Sequence, residues 1–90
     1  MGLSVQYKHW KTDIAYEVIC SVWEYPTALR EGESFPHQGK NFLPCGNYAE
    51  KTNIIFYEND EGNGYARSSA EFDEIMPNGQ PRFAFVEGSE

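Results

Sequence analysis

Tyr65 and Arg67 carry the clearest potential for ligand chemistry in the sequence. They are two residues apart in a predicted strand, so their side chains are expected on the same face of it. An arginine offers a planar fork of N–H donors that matches a phosphate or carboxylate, and a neighbouring ring can stack on a base or sugar. In a chain with 14 acidic residues an arginine can equally be a structural ion-pair partner, and Arg82 has the same two interpretations.

Trp23 and Tyr25 end the longest strand-like run of the chain, residues 14–25. Strict alternation predicts one apolar face, made of Tyr16, Val18, Cys20 and Val22. It places Trp23 and Tyr25 next to each other on the opposite, less buried face. There they are candidates for the core, for an oligomer interface or for a ligand platform.

The thiols and imidazoles of the chain do not form a recognised motif. Cys20, Cys45, His9 and His37 have no metal-ligand spacing, so no metal site is predicted. A Cys45–His37 pair would be a nucleophile without a third group to orient it. The sequence therefore predicts no catalytic residues and no cofactor, and both cysteines are expected to be reduced thiols.

Composition limits the partners. The formal net charge is −7, which excludes a general DNA or RNA polymer binder and an anionic membrane surface, and favours a small ligand or a basic host protein. No stretch approaches the ~18–20 apolar residues of a membrane-spanning helix, and the N-terminus lacks signal-peptide features, so a cytoplasmic location is expected. A chain of 90 residues makes one domain, residues 1–90, for which homo-oligomerisation is an open source of added stability.

The elements that must position these residues are mostly strands. Hydrophobic patterns predict strands over 4–10, 14–25, 53–58 and 65–67, and residues 59–64, rich in asparagine and glycine, predict a turn between the last two. A hairpin is predicted over 75–86 that turns at a type I′ Asn78-Gly79. A Ser–Glu spacing of three predicts a capping box and one helical turn over 69–74. This pattern is typical of a small, SH3-like antiparallel barrel or a strongly bent sheet.

Residues 26–51 interrupt the strand pattern and are predicted to be a long inserted loop. Proline and glycine recur through the segment, while Phe35, Phe42 and Tyr48 argue against simple disorder. These rings are expected to order the segment by packing on the sheet or on a second subunit.

Short motifs of the chain resemble the DUF1653 family, small bacterial and phage domains of unknown function. The matching segments are Y-K-H-W-K at 7–11, Y-E-V-I at 16–19, the strand at 53–57, G-Y-A-R at 64–67, Phe72 and N-G-Q-P-R-F at 78–83. The chain departs from the family where Ser68 replaces a proline and where residues 26–51 replace a short turn. The resemblance implies the small β fold and no activity. The small size and the acidity of the chain are compatible with a phage origin.

Two functions are compatible with these features. In the first, the protein is a non-enzymatic binder that sequesters a nucleotide-like or other anionic small molecule through Arg67. In the second, it is an acidic interaction or inhibitor module that acts on a basic partner. The first predicts a concave pocket with Arg67 in it, and the second predicts Arg67 in a salt bridge on a convex acidic face.

Overall fold

The computed structural model describes residues 6–85. Its elements are β1 Gln6–His9, β2 Ala15–Tyr25, β3 Phe35–His37, β4 Lys40–Pro44, β5 Thr52–Asn59, β6 Gly64–Ser68, α1 Ser69–Phe72 and β7 Phe83–Phe85. The predicted strand residues 4–5 and 86, and the tail 87–90, lie outside the described residues.

All seven strands form one sheet in the order β3-β4-β6-β5-β2-β1-β7. The mostly β fold with one short helix is confirmed. The sheet is open, with β3 and β7 at its edges, so it does not close into a barrel. It is also mixed, because β4 pairs with β6 in parallel, whereas the sequence predicted only antiparallel pairs. None of the described helices is long and apolar enough to cross a membrane.

A β-bulge at Ile19 divides β2 into two halves. Val18 pairs with Tyr57 and Cys20 pairs with Phe56, so two steps along β2 match one step along β5. Paired residues share a face of an antiparallel sheet, and adjacent residues of one strand point to opposite faces. The extra residue therefore turns Val18 and Cys20 to opposite faces. The predicted single apolar face of β2 is wrong for this reason.

A second irregularity separates Trp23 from Tyr25. Between the pairs Val22–Ile54 and Tyr25–Thr52, β2 uses one residue more than β5. Glu24 takes a positive φ of 50° there, and its backbone N–H donates to Oδ1 of Asn53 at 2.8 Å. Tyr25 consequently turns into the core, while the side chain of Trp23 is 76% exposed. The predicted adjacency of these two rings is wrong.

The sheet is covered on both faces by separate hydrophobic cores. The first core contains Leu29, Phe42, Tyr48, Ile54, Phe56 and Ala66. The second core contains Tyr57, Phe72 and Phe83, with Tyr7, Tyr16, Val18, Cys45, Ile55 and Tyr65 packed against it. Phe56 and Tyr57 are neighbours in β5, so this central strand contributes to both cores.

Residues 26–51 form a folded part of the sheet. The segment contains the β3–β4 hairpin and a bridge between Leu29 and Tyr48. The predicted irregular loop is therefore wrong, because Pro36 and Pro44 lie within the two short strands and Gly39 lies in the turn between them. The predicted packing is confirmed, since Phe42 and Tyr48 are buried in the first core and Phe35 packs against it.

Two local predictions have different outcomes. The Ser68 cap and the helical turn are confirmed, because the Ser68 hydroxyl accepts the Glu71 backbone N–H at 3.1 Å at the start of α1, which ends at Phe72. The Glu71 carboxylate does not complete the box, since it accepts the Tyr48 hydroxyl instead. The type I′ turn is wrong, since Gly79 has a φ of 86° but Asn78 is not in the positive-φ region. Gly79 N–H instead bonds the Met76 carbonyl at 2.8 Å and Met76 N–H bonds the Gln80 carbonyl, which is a three-residue loop with glycine at its left-handed position.

Candidate ligand-binding site

A cavity of about 160 Å³ lies beside the second core, and we call it the arginine cavity. Strands β1, β2, β5, β6 and β7 all contribute to its wall, together with the residues that follow β1 and β4. The lining residues are His9, Thr12, Tyr16, Cys45, Tyr57, Tyr65, Arg67 and Phe83.

The β5–β6 hairpin positions the centre of this cavity. Its turn is fixed by Asn59, whose Oδ1 accepts backbone N–H groups of Glu61 and Asn63 at 3.0 and 2.9 Å. The resulting register places Tyr57 opposite Tyr65, and the two rings stack with centroids 5.8 Å apart. Arg67 follows two residues after Tyr65 on the same face.

Three groups hold the Arg67 guanidinium. Its Nε donates to the Tyr57 hydroxyl at 3.3 Å, and its Nη1 lies 3.4 Å from Oε1 of Glu71. The guanidinium carbon lies 5.6 Å from the centre of the Phe83 ring. The Arg67 side chain is 13% exposed. Arg67 thus combines both predicted arrangements, because it lines a concave site and also forms an ion pair.

Two phenols of the cavity, Tyr57 and Tyr16, remain neutral hydrogen-bonding groups. Burial raises the pKa of Tyr57 far above its ordinary value of 10.0, and the nearby Cys45 adds to the increase. Burial also raises the pKa of Tyr16, with a further contribution from Tyr65. Each hydroxyl therefore keeps its proton near neutral pH and adds no negative charge to the site.

His9 is also neutral at pH 7. Burial lowers its pKa below 6.5, and the positive charge of Arg67 lowers it further. Its Nδ1 accepts the backbone N–H of Lys11 at 3.2 Å, so the neutral ring carries its proton on Nε2. The ring packs edge-on against Phe83, with centroids 5.2 Å apart. His9 therefore contributes an N–H donor to the cavity wall.

The electrostatic character of the arginine cavity differs from that of the whole chain. The formal net charge is −7, yet the described residues that line the cavity include a guanidinium and no carboxylate. No group of three or more potential metal ligands occurs among residues 6–85. The cavity is therefore suited to bind an anion or another group that accepts hydrogen bonds.

Only two of the five residues predicted as ligand contacts line the arginine cavity, Tyr65 and Arg67. The Arg82 Nη2 donates to Oε1 of Glu74 at 2.8 Å, which is the ion-pair interpretation of that residue. Tyr25 packs edge-on against Phe56 in the first core, at a centroid distance of 5.7 Å, and exposed Trp23 does not line the cavity.

The sequence interpretation missed six lining residues. Tyr57 could have been predicted, because the predicted strands and the Asn59–Gly64 turn already set the Tyr57–Tyr65 pairing. Cys45 could not have been predicted, because it reaches the site through the parallel β4–β6 pair, which no local signal indicates. The other four are His9, Thr12, Tyr16 and Phe83.

The sequence pairing of Cys45 with His37 is not formed. His37 stacks on Phe56 in the first core, with centroids 4.4 Å apart and an angle of 4° between the rings. Cys45 packs against the second core, and its Sγ lies 3.3 Å from the Tyr57 hydroxyl. No disulfide is present, since both cysteines are free.

A second cavity, of about 250 Å³, shares Tyr65 with the arginine cavity, and we call it the asparagine cavity. Its wall contains two amide side chains among mostly neutral groups. The lining residues are Ser34, Asn41, Phe42, Leu43, Asn63, Gly64 and Tyr65. Amides offer both donors and acceptors, so this site can pair with the edge of a polar ring.

The fold and site define a small, open-sheet β protein with a single-arginine cavity on one face. Comparison of the chain with protein-family models, curated proteins and solved structures finds no match.

Proposed function

We propose that this protein is a non-enzymatic binding protein that holds the anionic group of a small molecule in the arginine cavity. The observation that carries the proposal is the wall of the cavity in a strongly acidic chain, because its lining residues include the Arg67 guanidinium and no carboxylate, and the Glu71 partner of Arg67 is not among them. A net charge of −7 repels anions at long range, so an anion requires a local, oriented cation. Arg67 is held on a strand and keeps its charge at any working pH.

The size of the cavity limits what it can hold. About 160 Å³ corresponds to roughly five water molecules at ~30 Å³ each, which accommodates a phosphate or carboxylate group and not a whole nucleotide. The remainder of a nucleotide-like ligand would extend past Tyr65 towards the asparagine cavity. Asn41 and Asn63 supply amide groups there for the polar edge of a base. Sequestration of a nucleotide-like host signal by a phage-encoded protein is the biological role we attach to this site.

Thermal unfolding in the presence of candidate anions tests the proposal. Inorganic phosphate, nucleoside monophosphates and cyclic dinucleotides would be titrated, because a ligand at 100 times its Kd adds about 2.7 kcal/mol to the free energy of unfolding. We expect Arg67→Ala to abolish the ligand-induced shift and Arg67→Lys to restore part of it, since lysine lacks the planar fork.

Arg30→Ala is the matched control. It removes the same charge from an exposed side chain that forms no ion pair with another described residue. An equal loss of ligand stabilisation in Arg30→Ala and Arg67→Ala would overturn the site assignment. Failure of every anion to stabilise the wild-type chain would overturn the function.

The second candidate function is an acidic interaction module for a basic protein, and the exposed Trp23 is the observation that favours it. Tryptophan is enriched among residues that dominate binding energy in interfaces. Because the chain has two tryptophans, the fluorescence of Trp23 in a Trp10→Phe variant, titrated with a lysine-rich amphipathic peptide, tests this function. We expect the emission maximum to shift to shorter wavelength if the ring is covered. An unchanged spectrum would contradict this function.

A further inference from the structure

The thiol of Cys45 shares the arginine cavity with Arg67. Its Sγ lies 3.3 Å from the Tyr57 hydroxyl, and Nε of Arg67 lies 3.3 Å from the same oxygen. The sulfur and the guanidinium are thus separated by no more than twice that length. The Cys45 backbone N–H donates to the Ala66 carbonyl at 2.9 Å, which fixes the thiol beside β6. Cys45 is partly exposed and lines the cavity wall.

The hydrogen bond between Arg67 and Tyr57 has a definite direction. The Arg67 Nε can only donate, so the Tyr57 oxygen accepts from it. The same hydroxyl lies 3.3 Å from the Cys45 sulfur, and either group can donate in that contact. The sulfur is thus one side chain away from a permanent cation, and a neighbouring arginine is typical of reactive cysteines.

We propose that Cys45 is a nucleophilic thiol that captures a small anionic electrophile held by Arg67. This inference rests on the proposed function of the cavity, and it adds a covalent step. The thiol first loses its proton to solvent. The Cys45 sulfur then forms a bond to an electrophilic carbon of the bound anion, and the bond from that carbon to its leaving group breaks with both electrons departing on the leaving group.

Cys45 and Cys20, the other thiol of the chain, have different surroundings. Cys20 packs against the first core, and burial raises the pKa of its thiol. It does not line the arginine cavity. Cys20 is expected to react slowly and without preference for an anionic reagent, so it is an internal reference within the same molecule.

Alkylation with a matched pair of reagents tests the proposal. Iodoacetate and iodoacetamide react by the same displacement of iodide and differ in charge. The rate at each cysteine would be followed by peptide mass spectrometry at pH 7, with glutathione in the same solution. We expect the iodoacetate-to-iodoacetamide rate ratio at Cys45 to exceed that of glutathione by about tenfold, which corresponds to 1.4 kcal/mol.

Substitutions show which residues are responsible for the alkylation rates of Cys45. Tyr57→Phe should slow alkylation of Cys45 by both reagents, because it removes the hydroxyl that links the sulfur to Arg67 and keeps the ring. Arg67→Lys should lower the rate ratio, and Arg30→Gln should leave it unchanged. The reagent comparison on the wild-type chain remains decisive where a variant fails to fold.

The outcomes separate this inference from the proposed function. Phosphate stabilisation that depends on Arg67, together with a Cys45 that reacts no faster than Cys20, would overturn the covalent step and leave the binding function intact. A fast Cys45 with the rate ratio of glutathione and no protection by inorganic phosphate would overturn the anionic class of the electrophile and count against the binding function. Protection by phosphate together with a raised rate ratio would support both.

Discussion

The hydroxyl of Tyr48 donates a 2.8 Å hydrogen bond to Oε1 of Glu71, across the boundary between the first core and helix α1. The same oxygen lies 3.4 Å from Nη1 of Arg67. The short bond to the phenol holds the carboxylate in place, and the longer contact leaves the guanidinium partly free. Glu71 thus neutralises some of the positive charge that an anion in the arginine cavity would use.

The substitution Glu71→Gln should strengthen anion binding. Glutamine keeps an oxygen for Tyr48 and Arg67 and removes the competing negative charge. Solvent-exposed ion pairs contribute up to about 1 kcal/mol, and a similar gain at this partly exposed pair would raise phosphate affinity by about fivefold. Isothermal titration with inorganic phosphate measures the change.

Glu74→Gln is the control for Glu71→Gln. It removes the same charge from the pair with Arg82, which does not line the arginine cavity. Equal gains in phosphate affinity for the two variants would show that net charge alone is responsible.

Acid should weaken the native state through His9. Its pKa in the folded chain is below the ordinary value of 6.5, so the unfolded chain binds a proton more readily between the two values. The contribution of neutral His9 to stability is fully present above pH 6.5. It is lost as the pH decreases towards the pKa of His9 in the folded chain. Urea denaturation at pH 8 and pH 5.5 should show a smaller difference in His9→Gln than in the wild type. An identical difference in the two proteins would exclude His9 as the cause.

Gly64 is predicted to be essential for the approach of β4 to β6. A Cβ at this position would lie 2.7 Å from Cδ1 of Phe42 and 2.9 Å from the Asn41 carbonyl oxygen. Gly64→Ala should therefore lower the free energy of unfolding by about 1–3 kcal/mol, the usual cost of overpacking. Chemical denaturation measures it.

Gly39→Ala is a comparison for the steric cause. Gly39 has a positive φ of 83° with no atom within 4 Å of the added Cβ. Its substitution should cost about 1–2 kcal/mol from backbone strain alone. If ligand binding at the asparagine cavity is lost in Gly64→Ala and kept in Gly39→Ala, the steric clash at Gly64 is the cause of the loss.

Gly79→Val should destabilise the loop before β7 by roughly 1–2 kcal/mol, since a β-branched residue resists its φ of 86°. Gly79→Asn should cost less, because asparagine tolerates the left-handed region. The melting temperatures of both variants measure the effect. Equal values for Gly79→Val and the wild type would contradict the left-handed assignment.

Local signals in the sequence predicted local structure well. The Asn59–Gly64 turn and the Ser68 cap each depend on contacts within a few residues, so their patterns were sufficient. The same turn placed Tyr65 and Arg67 on one face. These signals located the centre of the candidate site.

Long-range pairing could not be predicted in the same way. The bulge at Ile19 has no distinctive residue type, yet it reverses the faces of half a strand. The parallel β4–β6 pair joins segments more than 20 residues apart, such as Leu43 and Tyr65. Cys45 enters the cavity only through that pair, so its contact with Tyr57 depends on tertiary structure.

The bulge at Ile19 also affects how the protein unfolds. Because one continuous strand supplies Val18 to the second core and Cys20 to the first, the two cores cannot separate without breaking the β2–β5 ladder. The two cores should therefore melt together in one cooperative transition, as in a two-state domain. Deleting Ile19 should remove the bulge and leave this arrangement intact, because Val18 and Cys20 would become neighbours on a regular strand, point to opposite faces and still pair with Tyr57 and Phe56.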